Sequence, residues 1–217
     1  LINYNLPFIG PPSSVGNIYL GPLYYYMMAV SMFIFYLNPV AAAGMNAILG
    51  VATVGLIYYL GRCWFNKYAG LSSAFLYAIS PVTIIYAKSS WNPNPVPFFT
   101  LMAVISFYRL HKTRNYMWLI LTGALLAGSV QMHYLSLILI PVFGIFWLYE
   151  VLAKAGKNII PGTLLGITSF ILVMLPLILF DLKHNFLNYR ALIELLTQGG
   201  DIKTNIIANV TKITSIF

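Results

Sequence analysis

Three short polar strings could do chemistry. The first is Lys88-Ser89-Ser90-Trp91-Asn92-Pro93-Asn94-Pro95. Prolines at alternate positions 93, 95 and 97 hold this stretch extended. A stiff joint then presents a lysine that could hold a phosphate, with the amides of Asn92 and Asn94 for sugar hydroxyls. The second is Gln131-Met132-His133-Tyr134, where Gln131 and His133 could contact hydroxyls. The third is Asp181-Leu182-Lys183-His184, which holds the first Asp of the chain. Tyr24 completes the candidate set. Each string also has a plainer reading. Lys and Trp are ordinary headgroup anchors, a lone His is commonly a satisfied structural residue, and Asp181 with Lys183 could be local charge pairing.

Other chemistry lacks its residues. The sequence has no P-loop, GxGxxG, HExxH or CxxC. Cys63 is the single cysteine, which excludes an internal disulfide and a multi-cysteine metal site. No metal and no cofactor is expected. Gly162 and Gly166 form a GxxxG, with a similar pair at Gly123 and Ala127, and both read as close helix packing. Residues 1–149 contain neither Asp nor Glu. An enzyme that activates a hydroxyl needs a general base, most simply a carboxylate. Only Asp181, Glu194 and Asp201 would be available on the side where the candidates gather.

The elements that position these strings must lie in lipid. Of 217 residues, 60% are hydrophobic and 7% charged, against roughly 25% charged in an ordinary soluble domain. Mean hydropathy is +0.83. A soluble fold of this length cannot bury so much apolar surface. The net charge of +8, from 12 Lys and Arg against 4 Asp and Glu, reads as an orientation signal and contact with anionic lipid rather than nucleic-acid binding.

Six uncharged apolar runs, 40–60, 70–87, 93–108, 116–132, 134–149 and 161–180, read as six spanning helices. Basic residues gather in alternate joints: Arg62 and Lys67, then Arg109, Lys112 and Arg114, then Lys154 and Lys157. The positive-inside rule puts these in the cytoplasm and the candidate strings outside. Segment 18–37 is a seventh uncharged run that could span; its tyrosines and the two-residue joint to the next run favour a helix along the outer interface. The arm 1–17, with Pro7, Pro11, Pro12, Gly10 and Gly16, reads as a loop. Residues 186–197 have helical spacing and end at Gly199-Gly200. The chain opens at Leu1 with no basic leader and is read as a piece of something longer.

Several strings, in order along nearly the whole chain, resemble one family. Tyr19-Leu20-Gly21-Pro22-Leu23-Tyr24-Tyr25-Tyr26 resembles the juxtamembrane element of the large glycosyltransferases with the GT-C fold. These include the protein O-mannosyltransferases and the lipid A aminoarabinose transferases. Leu60-Gly61-Arg62 through Phe65 to Tyr68-Ala69-Gly70-Leu71 is similar to their cytoplasmic joint. Ser80-Pro81 with Tyr86-Ala87-Lys88-Ser89-Ser90-Trp91-Asn92-Pro93-Asn94 resembles a bacterial SP…WNPN segment. Gln131-Met132-His133-Tyr134 and Leu175-Pro176 through Phe180-Asp181-Leu182-Lys183-His184 resemble further markers of that branch. Against the family pattern, Gly21 stands where a basic residue is common, Lys88 replaces an Arg, and Asn92 or Asn94 stands near a second Asp of other branches.

The resemblance implies an all-α, multi-spanning GT-C-like bundle with an outer juxtamembrane helix. Residues 1–37 would form the outer loop and that helix, 38–180 a six-helix transmembrane bundle, and 181–217 the start of an extracytoplasmic segment. It implies an inverting glycosyltransferase that moves a sugar from a polyprenyl-phosphate donor to an envelope lipid, glycan or protein acceptor. The membrane would be a bacterial or archaeal plasma membrane, with the site facing outside. Its partners would be membrane lipid, the donor and the acceptor, with no nucleic acid. The family's catalytic Asp lies upstream of the Gly-Pro element, so the base is expected before Leu1. Lys88 would hold the leaving phosphate. Asn92, Asn94, Gln131, His133, Asp181, His184 and Tyr24 would bind substrate. The alternative is a membrane transporter or lipid flippase, which would carry charged or polar residues along a path within its spans. A structural membrane subunit would need no polar clusters at the outer helix ends.

Overall fold

The computed structural model describes residues 6–13, 18–154 and 159–197. Gly16, Lys157, the Gly199-Gly200 stop and Asp201 lie outside the described residues, as does the side chain of Lys154. The protein is an all-α integral membrane protein. In chain order the helices are α1 (Leu23–Ile34), α2 (Val40–Trp64), α3 (Lys67–Ile79), α4 (Pro81–Ala87), α5 (Val96–Thr113), α6 (Trp118–Met132), a 3-10 turn (Tyr134–Ile138), α7 (Leu139–Lys154), α8 (Ile159–Lys183) and α9 (Leu187–Thr197).

All six apolar runs are helical, but they are not six equal spans. Val40–Trp64, Tyr134–Leu152 and Ile159–Lys183 are long and apolar enough to cross a membrane unaided. The run 70–87 breaks at Ser80, and α3 and α4 meet at 63°. Pro81 is the cause. It sits at the first position of α4, and the residue before it, Ser80, is driven to an extended ψ of 122°. Counted as one broken span, the pair makes a fourth. Helix α6 has 15 residues, about 22 Å at 1.5 Å per residue, short of a hydrocarbon core of about 30 Å. Much of it is enclosed by its neighbours: every residue from Leu125 to Met132 is buried.

Glycines set how closely α6 meets α8. A Cβ on Gly123 would lie 2.1 Å from the Gly166 carbonyl oxygen, and one on Gly162 would lie 2.6 Å from Tyr116 Cβ. The GxxxG is therefore a packing device, as its spacing suggests. Helices α2 and α3 meet the same way, with a Cβ on Gly61 falling 2.7 Å from Gly70 Cα. Elsewhere the bundle presents apolar side chains outward, among them Ile48, Val51, Leu164 and Leu172. In lipid these are the solvated surface.

Helix α1 has 12 residues, about 18 Å, too short to cross. Tyr36 and Leu37, both at positive φ, turn the chain from α1 into α2. Ahead of α1, Gly10 N–H donates to Leu20 O (2.7 Å), and Leu20 N–H to Pro11 O (3.1 Å). The Tyr26 hydroxyl donates to Pro7 O at 2.6 Å. The arm is thus folded back on the start of α1. At the other end, α9 covers the expected 186–197 helix. Positive φ at Asn185 and Phe186 separates it from α8.

Candidate substrate-binding site

One end of the bundle gathers most of the candidate residues, and an amide that looks unremarkable in the sequence joins them. Asn46, in the second turn of α2, is 3% exposed. Its Nδ2 donates to the Tyr24 hydroxyl (2.9 Å) and to the Ser89 carbonyl (2.8 Å). The Tyr24 hydroxyl also bonds Ser90 Oγ at 2.8 Å. Asn94 Nδ2 donates to the carbonyls of Tyr86 (2.6 Å) and Ser89 (2.8 Å). So α1, α2, the end of α4 and the 88–94 joint share one polar cluster. Within it, Asn46 Oδ1, an acceptor, and Asn92 Nδ2, a donor, are buried with no hydrogen-bond partner among the described residues. Such atoms forfeit their hydration without replacement, which costs roughly 1–3 kcal/mol each.

Gln131 sits in the last turn of α6 and is 2% exposed. Its Oε1 accepts from Leu23 N–H at 3.1 Å, and its Nε2 donates to the Val173 carbonyl at 2.6 Å. The side chain links the start of α1 to the middle of α8. A Cβ on Gly21 would come within 2.2 Å of Gln131 Oε1. Glycine at 21 leaves that space to the amide, which a basic side chain would exclude.

His133 lies between α6 and the 3-10 turn. Its Nδ1 accepts from Leu135 N–H at 3.2 Å, so the neutral ring carries its proton on Nε2. Burial lowers its pKa from the ordinary value. The ring stacks on Tyr134, with centroids 4.9 Å apart. Lys88 caps α4, is exposed, and its ammonium has no partner among the described residues.

Asp181 and His184 form a separate group. Asp181 Oδ1 accepts from Asn188 N–H (2.8 Å) and Oδ2 from Tyr189 N–H (3.1 Å), which caps the start of α9. His184 Nδ1 bonds the Phe180 carbonyl at 2.8 Å, and its ring stacks on Phe180 at 4.0 Å. The group reaches the first by way of Asn188, whose Oδ1 accepts from Tyr19 N–H at 2.7 Å.

Three spaces adjoin these residues. A cavity of about 310 Å³ lies between α2 and the bent α3–α4 pair and is lined in part by Asn46, Tyr86, Trp91 and Asn94. A second, of about 420 Å³, is lined by His133, Thr100 and Ser136. Pro93 and Pro97 line both, so the proline-stiffened entry to α5 is their common wall. A third space, of about 770 Å³, is apolar and runs between α5 and α7, sharing Thr100 and Leu139 with the second. At its far end Glu150, 1% exposed, binds Arg114 and His111. That end also holds the Arg109–Tyr59 and Lys112–Tyr108 cation–ring contacts. The basic and the amide-rich ends are thus opposite ends of the bundle, as the alternating charges imply. Among the described residues, no group of three or more metal-ligating side chains occurs.

Asn46 is the member of this cluster that sequence reasoning missed. A single amide inside an uncharged run carries no motif. Its only signal is that a polar side chain in a lipid-facing segment must find partners or face the bundle interior.

The family profile described as dolichyl-phosphate-mannose-protein mannosyltransferase matches residues 20–180. A curated protein of Bacillus subtilis (strain 168), named "Putative mannosyltransferase YkcB", is 24% identical over 140 residues, which is 64% of this chain. The chain spans about a fifth of that relative's length, the matched part being 20% of it. No solved structure matches the chain.

Proposed function

Because the chain belongs to the dolichyl-phosphate-mannose-protein mannosyltransferase family, we propose that it is the membrane core of a glycosyltransferase that takes a sugar from a polyprenyl-phosphate donor. The acceptor is an envelope lipid, glycan or protein, and the reaction runs at the outer face. The observation that carries this reading is the adjacency of two kinds of space. The cavity beneath His133 and the apolar groove between α5 and α7 share Thr100 and Leu139. A polar headgroup and an apolar chain belonging to one lipid-linked molecule fit side by side there.

In the proposed reaction an acceptor hydroxyl attacks the anomeric carbon, its proton passes to a base, and polyprenyl phosphate leaves with inversion. Lys88 is assigned to the leaving phosphate, since its ammonium is exposed and unpaired among the described residues. His133, with its proton on Nε2, is assigned to a substrate oxygen. Tyr24, Asn92 and Asn94 are assigned to the sugar side of the site. Gln131, Asp181 and His184 are assigned to holding α1, α8 and α9 in register, through their bonds to backbone groups. The base is assigned to neither Glu150, which pairs with Arg114 and His111, nor Asp181, whose oxygens cap α9.

A conduit reading has less support. Among the described residues, charged side chains lie at the bundle ends or on α9. The interior hydroxyls satisfy one another locally, as Thr122 does with Ser106 at 3.1 Å. The test is Lys88→Ala in the full-length protein, read as transfer from a labelled polyprenyl-phosphate mannose in isolated membranes. Loss of about a hundredfold or more is expected, with unchanged protein in the membrane fraction. Wild-type rates in the variant would remove Lys88 from the site. A wild-type protein inert toward every lipid-linked sugar would remove the function.

A further inference from the structure

We infer that the cavity between α2 and the bent α3–α4 pair is a binding site for one uncharged, hydroxyl-rich ring, a sugar unit, seated against Trp91; this rests on the glycosyltransferase reading and names where a ring would sit.

The bend makes the space. At Ser80-Pro81 the chain turns by 63°, so Tyr77 before the bend and Thr83 and Tyr86 after it line one cavity, with Asn46 on α2 opposite. Its volume of about 310 Å³ is at the small end of the roughly 300–1,000 Å³ usual for ligand sites. That suits a single ring rather than a lipid chain.

The lining chemistry narrows the class. Among the described residues, no charged side chain lines the cavity, so a phosphate or a carboxylate would be buried there without a counter-charge. The polar groups present are neutral, and several are unspent. Asn94 Nδ2 is fixed by two carbonyl acceptors, Tyr86 O and Ser89 O. Those two bonds settle which end of the amide is nitrogen. They leave Oδ1 as an acceptor with no partner among the described residues. The hydroxyls of Thr83, Tyr77 and Tyr86 also take no partner there. A donor-and-acceptor set of this kind matches ring hydroxyls, which both give and take hydrogen bonds.

The aromatic wall fits the same ligand. Trp91 and Tyr86 pair with centroids 5.4 Å apart and planes at 31°. Trp91 is 51% exposed. An indole at the mouth of a cavity offers an apolar face to the C–H face of a sugar while hydroxyls reach the polar groups deeper in. Lys88 is three residues from Trp91 and outside the cavity lining. A ring inside and a phosphate outside would therefore meet their partners within one short joint.

The experiment uses the full-length protein in lipid nanodiscs and three probes: a short-chain prenyl-phosphate mannose, the same prenyl phosphate without sugar, and methyl α-mannoside. The variants are Thr83→Val and Tyr77→Phe, which remove only hydroxyls that lack protein partners, and Trp91→Leu. Unfolding midpoints like that of the wild type establish that the variants fold. Each variant should weaken the mannosylated prenyl phosphate about five- to tenfold, for one lost hydrogen bond or one lost ring contact, with the bare prenyl phosphate unaffected. Loss confined to methyl α-mannoside would equally support the cavity and assign it to the acceptor's ring. Unchanged binding of both sugar probes in the folded variants would overturn the site while leaving the glycosyltransferase reading intact. Binding of none of the three probes by the wild type would overturn both.

Discussion

Gly21 and Gln131 occupy one volume between them: a Cβ at Gly21 would stand 2.2 Å from Oε1 of Gln131 and 2.3 Å from its Cγ. The glycine lets a buried amide reach the Leu23 N–H, and through that bond the start of α1 is fastened to α6 and α8. Gly21→Ala should therefore expel the amide and strand the groups it satisfies, at a cost of about 2 kcal/mol or more. Gln131→Ala should cost a similar amount. The double variant should be much less destabilised than the sum, because the alanine at 21 no longer has an amide to displace. Chemical unfolding of the four proteins in one detergent measures the cycle. Additive effects would contradict the shared-space account.

At the opposite end Glu150 is 1% exposed and binds both Arg114 and His111. Removing its charge leaves Arg114, about one-third exposed at 35%, without its partner. The partly solvated guanidinium tempers the loss, so Glu150→Gln should destabilise by about 1–3 kcal/mol rather than the larger cost of a fully buried orphan charge. Arg114→Gln should cost less than Glu150→Leu combined with wild-type Arg114 only if the carboxylate stays hydrated. The expected order is therefore the reverse, and thermal unfolding of the two variants decides it.

His133 predicts a pH dependence. Burial lowers its pKa in the folded protein, below the ordinary value of about 6.5. Between the two values the unfolded chain binds more protons, so stability rises with pH through that window and is complete above about 6.5. As pH falls through the folded value this contribution is lost. Protonation also removes the Nδ1 acceptor that Leu135 N–H uses. His133→Gln should flatten the slope of the unfolding midpoint in the pH range just below about 6.5. An unchanged slope would mean that His133 is not the titrating group.

Cys63 is exposed in the last turn of α2, beside Arg62. If the basic end faces the cytoplasm, Cys63 should resist an impermeant maleimide in intact cells and react after permeabilisation. Labelling without permeabilisation would invert the proposed topology.

Much of the architecture follows from composition and periodicity alone. Long uncharged runs must be helical in lipid, because only a helix satisfies every backbone group within its own segment. The basic joints separate the two ends because charges are costly at mid-bilayer. The Gly162–Gly166 spacing acts locally, so a close crossing is legible in the residues that cause it, whereas the bend at Pro81 lies inside a run, 70–87, that reads as one span. Tertiary structure decided the rest. Apolarity does not distinguish a helix bathed in lipid from one enclosed by protein, so the packing of α6 between α5 and α8 is not legible in the sequence. Nor does the sequence rank polar residues by what they touch. Gln131, Asn94, Asp181 and His184 carry suitable chemistry, but part of their hydrogen-bonding capacity is taken up by backbone groups brought near by folding. Asn46, silent in the sequence, becomes the junction of α1, α2 and the 88–94 joint, because hydrogen bonds are satisfied by proximity in space, which residue type alone does not encode.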